Sequence, residues 1–407
     1  MPSRPSSFLV NLFALAVMGV ALFVMLHQIR PGTIANNAIN IAQTATVAES
    51  PAVASSQATI NASTSPSATA TPKAPVKAAV VKASKTKPKT RLPSPAASTT
   101  MITPAQTAPP VFEITRIQKP YPTPPQSFDD VNVLTRRALV NILCIPQGGG
   151  SLQAISGSGV LIDPRGVILT NAHVAQYVLL SESPEINLAC TIRTGSPAKS
   201  AWIAEVLYMP PVWVDAHAAE ISSSHPAGTG EHDYALLRIT GSVDGSPLPA
   251  SFPSLSFDTR EVIGFLGDLV LGAAYPAEFV GSSNTQDNLN AVSSVSSIAQ
   301  LLTFGTKTVD AISLGGVIEA QAGSSGGAVV NAWNKLIGVI TTTSEGDTTA
   351  QRTLRAVTMS HINRDIQAQT GSDLTTFLQG DLAAREEEFN TAWLQHLLDM
   401  YIKQIKK

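Results

Sequence analysis

The sequence predicts an all-β globular region of two packed barrels, set behind an apolar N-terminal helix and a long polar linker. Three observations predict it. From about Phe128 onward, short apolar runs alternate with Gly, Pro and Asn, as in VNILCI (140–145), GVLID (159–163), GVILT (166–170), YALLRI (234–239), LVLGAAY (269–275) and LIGVITT (336–342). Many short strands with turn signals between them indicate a sandwich or barrel. That region is roughly 240 residues long, which is large for one sandwich and comfortable for two barrels. Upstream, Ala, Pro, Ser, Thr and Lys crowd out large apolar side chains.

The N-terminal element is the run Phe8–Leu26, which carries no charge and one polar residue, Asn11. It approaches the ~20 apolar residues that span a bilayer core. A secretory signal has a shorter apolar region followed by a small-x-small cleavage site. Here His27, Gln28, Ile29, Arg30 and Pro31 follow instead. Residues 1–30 are therefore read as a cytoplasmic stub and an uncleaved transmembrane signal anchor, with cleavage as the rival reading. Arg4 on one side and His27 and Arg30 on the other leave the positive-inside rule nearly silent.

Residues 31–125 read as a linker, because a Pro-rich stretch with almost no large apolar residues cannot offset chain entropy by burial. Residues 126–370 form the β region. Residues 371–407 read as an amphipathic helix: Phe389, Trp393, Leu397 and Tyr401 recur every four residues and give an apolar stripe that would dock on the β region.

Bulk numbers exclude several classes. A net charge of -2 gives no support to nucleic-acid binding. Two cysteines, Cys144 and Cys190, rule out a disulfide-rich scaffold and a Cys-based metal site. The pair is either one disulfide or two thiols. His217, His225 and His232, with Asp215 and Glu231 nearby, are spaced to fit no helix face, so no metal and no cofactor are expected.

Three segments carry chemistry. Ala322-Gly323-Ser324-Ser325-Gly326-Gly327-Ala328 puts glycine around a serine, which lets backbone amides converge where a carbonyl oxygen would sit; Gly323 and Ser325 are the natural oxyanion pair. Gly157-Ser158-Gly159-Val160, an Asp163-Pro164-Arg165-Gly166 turn and Val167–Val174 read as two strands followed by His173. His232-Asp233-Tyr234 places an acid just before an apolar strand. Acyl transfer needs this set: a nucleophile, a base to activate it and donors for the oxyanion.

The order His173, Asp233, Ser325 is that of chymotrypsin and not of subtilisin or the α/β-hydrolases. With it, GSGVLID, GVILTNAHV, DYALLRI and AGSSGGAVVNAWNKLIGVIT resemble the trypsin-like, chymotrypsin-fold serine peptidases over residues ~135–370, in the style of bacterial Deg-type envelope proteases. The resemblance implies a double six-stranded antiparallel barrel. It also implies that Ser325 is the nucleophile, His173 the general base and Asp233 its orienting acid. Thr341 matches the hydroxyl that supports the aspartate, and an extended substrate would pair with Thr341, Thr342 and Thr343. Glu319, six before Ser325, falls where the family sets the floor of its specificity pocket.

Two departures stand out. Ser324 occupies the position where trypsins keep the aspartate that pairs with a new N-terminus, so activation by that ion pair is not implied. Only 37 residues follow position 370, too few for the PDZ domain of Deg proteases. The expectation is a single-pass membrane endopeptidase, its catalytic region outside the cytoplasm, acting on polypeptides. The alternative is a catalytically silent, tethered peptide-binding module. Oligomeric state is open. Activity should need neutral His173 and fall below about pH 6.5.

Overall fold

The computed structural model describes residues 116–148, 152–221, 223, 229–261, 263–277, 288–305, 307–317, 319–343 and 353–406. The apolar run Phe8–Leu26 and most of the linker lie outside them. Among the described residues no helix is long and apolar enough to cross a membrane.

The first helix, α1 (Phe128–Ala138), starts where Ser127 Oγ accepts from the Asp130 amide. Asp129 and Asp130 in its first turn and Arg136 and Arg137 in its last suit the helix dipole. Six strands then close a barrel in the order β1-β2-β3-β6-β5-β4. They are β1 (Leu139–Pro146), β2 (Ile155–Asp163), β3 (Val167–Thr170), β4 (Leu188–Thr194), β5 (Lys199–Tyr208) and β6 (Ala235–Ser242). The Asp163–Gly166 turn joins β2 to β3 as the sequence indicates: Gly166, at φ +90°, returns its amide to Asp163 O. Cys144 and Cys190 are direct register partners on β1 and β4 and are joined by a disulfide.

The second sheet corrects the expected strand count. It has seven strands, ordered β8-β7-β11-β12-β13-β10-β9: β7 (Leu269–Ala274), β8 (Val292–Ser297), β9 (Gln300–Leu302), β10 (Ala311–Gly315), β11 (Ala328–Asn331), β12 (Leu336–Thr343) and β13 (Leu354–Thr358). The two edge strands, β8 and β9, are separated only by Ile298 and Ala299. Ile298 donates to Asp268 O and Ala299 to Ser313 O. One bent segment thus serves both edges and curls the sheet.

The region is also not purely β. Helices α2 (Ala172–Ser181) and α3 (Pro211–His217) interrupt the strands, and α4 (Met359–Thr370) follows the last of them. The α2 sequence AHVAQYVLLS is a continuous apolar run, which periodicity alone cannot assign to helix or strand.

The C-terminal segment is helical but broken. Short α5 (Leu374–Phe377), α6 (Leu382–Phe389) and α7 (Gln395–Ile405) follow one another, with a π-type turn at Asn390–Leu394. They dock on the first barrel. Arg238 pairs with buried Glu386, Arg165 donates to Gly380 O, and Phe389 meets Tyr208 edge-on at 6.0 Å. Phe389, Leu397 and Tyr401 are buried as the stripe predicts, but Trp393 is 42% exposed. The π turn adds a residue to its helical turn and rotates Trp393 out of the stripe.

Residues 116–125, the last of the stretch read as linker, lie against the second sheet. Tyr121 donates to Asp258 Oδ2 (2.7 Å), and its ring packs on Trp333 at 5.0 Å. Trp333 in turn donates to Thr123 O (2.7 Å).

Candidate active site

The site is built where the two sheets meet. β3 ends at Thr170, Asn171 is the N-cap of α2, and His173 falls in that helix's first turn. Asp233 lies just before β6, after His232, which adopts φ +59°. That left-handed residue turns successive side chains to different partners. His232 Nδ1 meets Asp365 Oδ1 of α4 at 2.8 Å, while Asp233 Oδ2 meets His173 Nδ1 at 2.8 Å. Asp233 Oδ1 also accepts the His173 amide (3.0 Å), so the carboxylate sits on the positive end of α2. Asn171 Nδ2 donates to Asp233 O (2.8 Å).

The charges follow from these contacts. Burial works against an ionised Asp233, but the His173 charge and the hydrogen bonds from His173 and Thr341 outweigh it and hold its pKa below the ordinary value. Burial likewise disfavours protonated His173. The Asp233 charge and hydrogen bond prevail, and the His173 pKa is raised.

The Gly323–Gly327 turn leads into β11. Gly323 and Gly326 adopt φ +91° and +87°. A Cβ on Gly326 would lie 1.9 Å from Ser158 O, and one on Gly323 would lie 2.9 Å from Tyr275 O. Only glycine fits at both. Among the described residues neither the Gly323 nor the Ser325 amide has a hydrogen-bond partner. Their peptide planes are nonetheless fixed from behind, since Ala277 N donates to Ala322 O (2.8 Å) and Gly327 N to Ser324 O (2.9 Å). Two oriented, unpaired amides beside a serine are what an oxyanion requires.

Ser325 Oγ donates to Thr341 O (3.3 Å). Among the described residues no hydrogen bond joins it to His173. Thr341 is the extra residue of a bulge, because the β12–β13 register shifts between Ile340 and Thr342. The bulge aims Thr341 Oγ1 at Asp233 Oδ2, 2.6 Å away. β11 pairs with β12 only as far as Val339, so 341–343 have no strand partner on that edge among the described residues. Thr342 and Thr343 pair with β13 on the other edge, opposite Arg355 and Leu354.

Glu319 does not join this network. Its side chain is fully buried, Ser294 of β8 donates to its Oε2 (2.6 Å), and burial pushes its carboxyl pKa up. The histidines between the first two motifs do not converge. His217 stacks on Trp213 and bonds its carbonyl oxygen, His232 is engaged by Asp365, and His225 lies outside the described residues. Among the described residues no group of three or more His, Cys, Asp or Glu is arranged to hold a metal ion.

Residues that sequence reasoning left without a role include Asn171, Ser158 and Ala277. The first two stand inside motifs already singled out, Thr170-Asn171-Ala172-His173 and Gly157-Ser158-Gly159. Ala277 sits in a loop with no local signal.

Residues 157–339 match the family model described as a trypsin-like peptidase domain. That stretch is similar to a trypsin-like peptidase domain, and the closed six-stranded barrel with a curled second sheet is consistent with the chymotrypsin fold. No curated protein matches the chain.

Proposed function

We propose that the chain is a serine endopeptidase in which Ser325, His173 and Asp233 form the catalytic triad. The observation that carries this reading is the Thr341–Asp233–His173 hydrogen-bonded chain beside two unpaired amides, Gly323 and Ser325. A substrate strand pairs with the open edge at 341–343, which sets the scissile carbonyl over Ser325. Ser325 Oγ turns from Thr341 O toward His173 Nε2 and attacks the carbonyl carbon. Its proton passes to His173, and the oxyanion settles on the amides of Gly323 and Ser325. The carbon–nitrogen bond then breaks, His173 gives its proton to the leaving amine, and an acyl-enzyme remains. Water, deprotonated by His173, hydrolyses the ester and restores Ser325.

The same reading places the domain outside the cytoplasm on a membrane tether. The apolar run Phe8–Leu26 supports the tether, and the Cys144–Cys190 disulfide supports an oxidising compartment. Alkaline carbonate extraction of membranes from cells making the full-length chain tests the tether. Release into the soluble fraction without a change in mass would remove it.

A second reading, a silent peptide-binding module, is favoured by one observation: the Ser325 hydroxyl is engaged by Thr341 O and not by His173. A fluorophosphonate probe separates the two. The full-length chain should gain one phosphonyl adduct by intact mass, and Ser325→Ala should gain none. A folded parent that stays unlabelled would support the silent module.

A further inference from the structure

We infer that Ser158 is a positioning residue that sets the oxyanion hole by holding the Gly323 peptide from behind; this rests on the serine-peptidase reading above. Ser158 lies on β2, in the first barrel, and is fully buried. Four hydrogen bonds converge on it. Its amide donates to Ser325 O (2.7 Å), its hydroxyl donates to Gly323 O (2.8 Å), Tyr275 N donates to its hydroxyl (2.9 Å), and Thr170 Oγ1 donates to its carbonyl (2.7 Å).

The hydroxyl's roles are not interchangeable. A serine has one proton to give. The Tyr275 amide can only donate, so the Ser158 proton must go to Gly323 O. Gly323 needs such a hold, because a glycine at φ +91° has little steric resistance to rotation of the peptide planes on either side. The preceding plane is fixed by Ala277 N on Ala322 O; the following one is held at its carbonyl by Ser158 Oγ (2.8 Å) and at its amide by the longer Ser324 N to Gln321 O bond (3.2 Å). Among the described residues no side chain of the loop does this work: Ser324 Oγ is buried and makes no hydrogen bond to them. The Ser158 amide also holds Ser325 O, so one residue of the first barrel fixes the carbonyls on both sides of Ser324. The oxyanion hole of the second sheet is thereby shaped by the first barrel.

The test uses saturation kinetics of the fluorophosphonate on the full-length chain. In that reaction the Ser325 Oγ–P bond forms, the P–F bond breaks, fluoride leaves and the serine proton passes to His173. The phosphoryl oxygen occupies the oxyanion hole. Ser158→Ala should lower the maximal labelling rate about 10–100-fold, less than or equal to the loss of a direct oxyanion donor. The half-saturating concentration should stay within about twofold, because ground-state binding does not use the hole. Ser158→Cys, a weaker donor, should fall between the two and decides the matter if the alanine variant does not fold. A maximal rate within about twofold of the parent, or a rate and a half-saturating concentration that worsen together, would overturn the assignment. If the parent itself is not labelled at Ser325, the peptidase reading fails and this inference with it. A labelled parent with an unaffected alanine variant removes the inference alone.

Discussion

The Thr341 hydroxyl donates a 2.6 Å hydrogen bond to Asp233 Oδ2, the same oxygen that faces His173 Nδ1. One carboxylate oxygen therefore meets a hydroxyl from β12 and the imidazole carried by α2, and its other oxygen is fixed by the His173 amide. Asp233 can neither rotate nor pick up a proton without breaking several bonds. Asp233→Asn should cost about 10⁴ in kcat, the size of effect that follows when the orienting acid of such a triad is neutralised. Thr341→Val should cost only about tenfold, since it removes one support and keeps the charge. Peptide hydrolysis rates of both variants, with circular dichroism as a folding control, check the order. Equal losses would count against separate roles.

The raised His173 pKa sets the pH dependence. In the proposed mechanism the base must be neutral to accept the Ser325 proton, and Asp233 favours the protonated ring. As pH rises, activity should therefore appear above pH 6.5, the ordinary value, and not at it. This moves the limb upward from what the bare histidine suggests. A pH–rate profile of kcat/KM with its acid midpoint at or below 6.5 would contradict the Asp233 contact. Asp233→Asn should shift the midpoint down, because the neutral amide no longer stabilises imidazolium.

Gly326 admits no side chain. Its Cβ would lie 1.9 Å from Ser158 O and 2.4 Å from Thr170 Oγ1, and its φ is +87°. Gly326→Ala should destabilise by about 3–5 kcal/mol, from overlap with backbone and strain together. Thermal melts should show the loss, and fluorophosphonate labelling should vanish with it. Gly241→Ala is the comparison, for nothing lies within 4 Å of its added Cβ.

These positions also show what the sequence could and could not convey. His173, Asp233 and Ser325 could be proposed from sequence because each sits in a short motif whose residue types are demanded locally. Thr341 was legible only through resemblance, since the bulge that aims it depends on β13. The proposed oxyanion pair was suggested by Gly323 and Gly326, but its supports were not. Ser158 acts across 165 residues of chain through Gly323 O, and Ala277 acts by its backbone alone. The second sheet was miscounted because a bend at Ile298–Ala299 leaves no Gly or Pro in the sequence to mark it.

The disulfide makes a further prediction about stability. Cys144 and Cys190 are opposed on β1 and β4 and lie 46 positions apart in sequence, with β2, β3 and α2 with His173 between them. Closing that loop constrains the unfolded chain by about 4 kcal/mol in the chain-entropy model. Cys144→Ser with Cys190→Ser should lower the denaturation midpoint accordingly. An unchanged midpoint in reductant would mean that β1–β4 pairing alone supplies the stability.

The C-terminal helices offer a test of packing against pattern. Phe389, Trp393, Leu397 and Tyr401 are equivalent in the four-residue repeat but not in the fold. Leu397 and Tyr401 are fully buried beside the first barrel, whereas Trp393 stands 42% exposed within the π turn. Leu397→Ala should cost about 2–5 kcal/mol, the range for emptying a buried leucine site. Trp393→Ala should cost no more than about 1 kcal/mol despite removing the larger side chain. Burial outweighs size here because only surface already withdrawn from water contributes to folding. Urea denaturation of the two variants decides it. Equal losses would mean that Trp393 is covered in solution, by another copy of the chain or by a different surface, and a concentration-dependent midpoint would identify the copy.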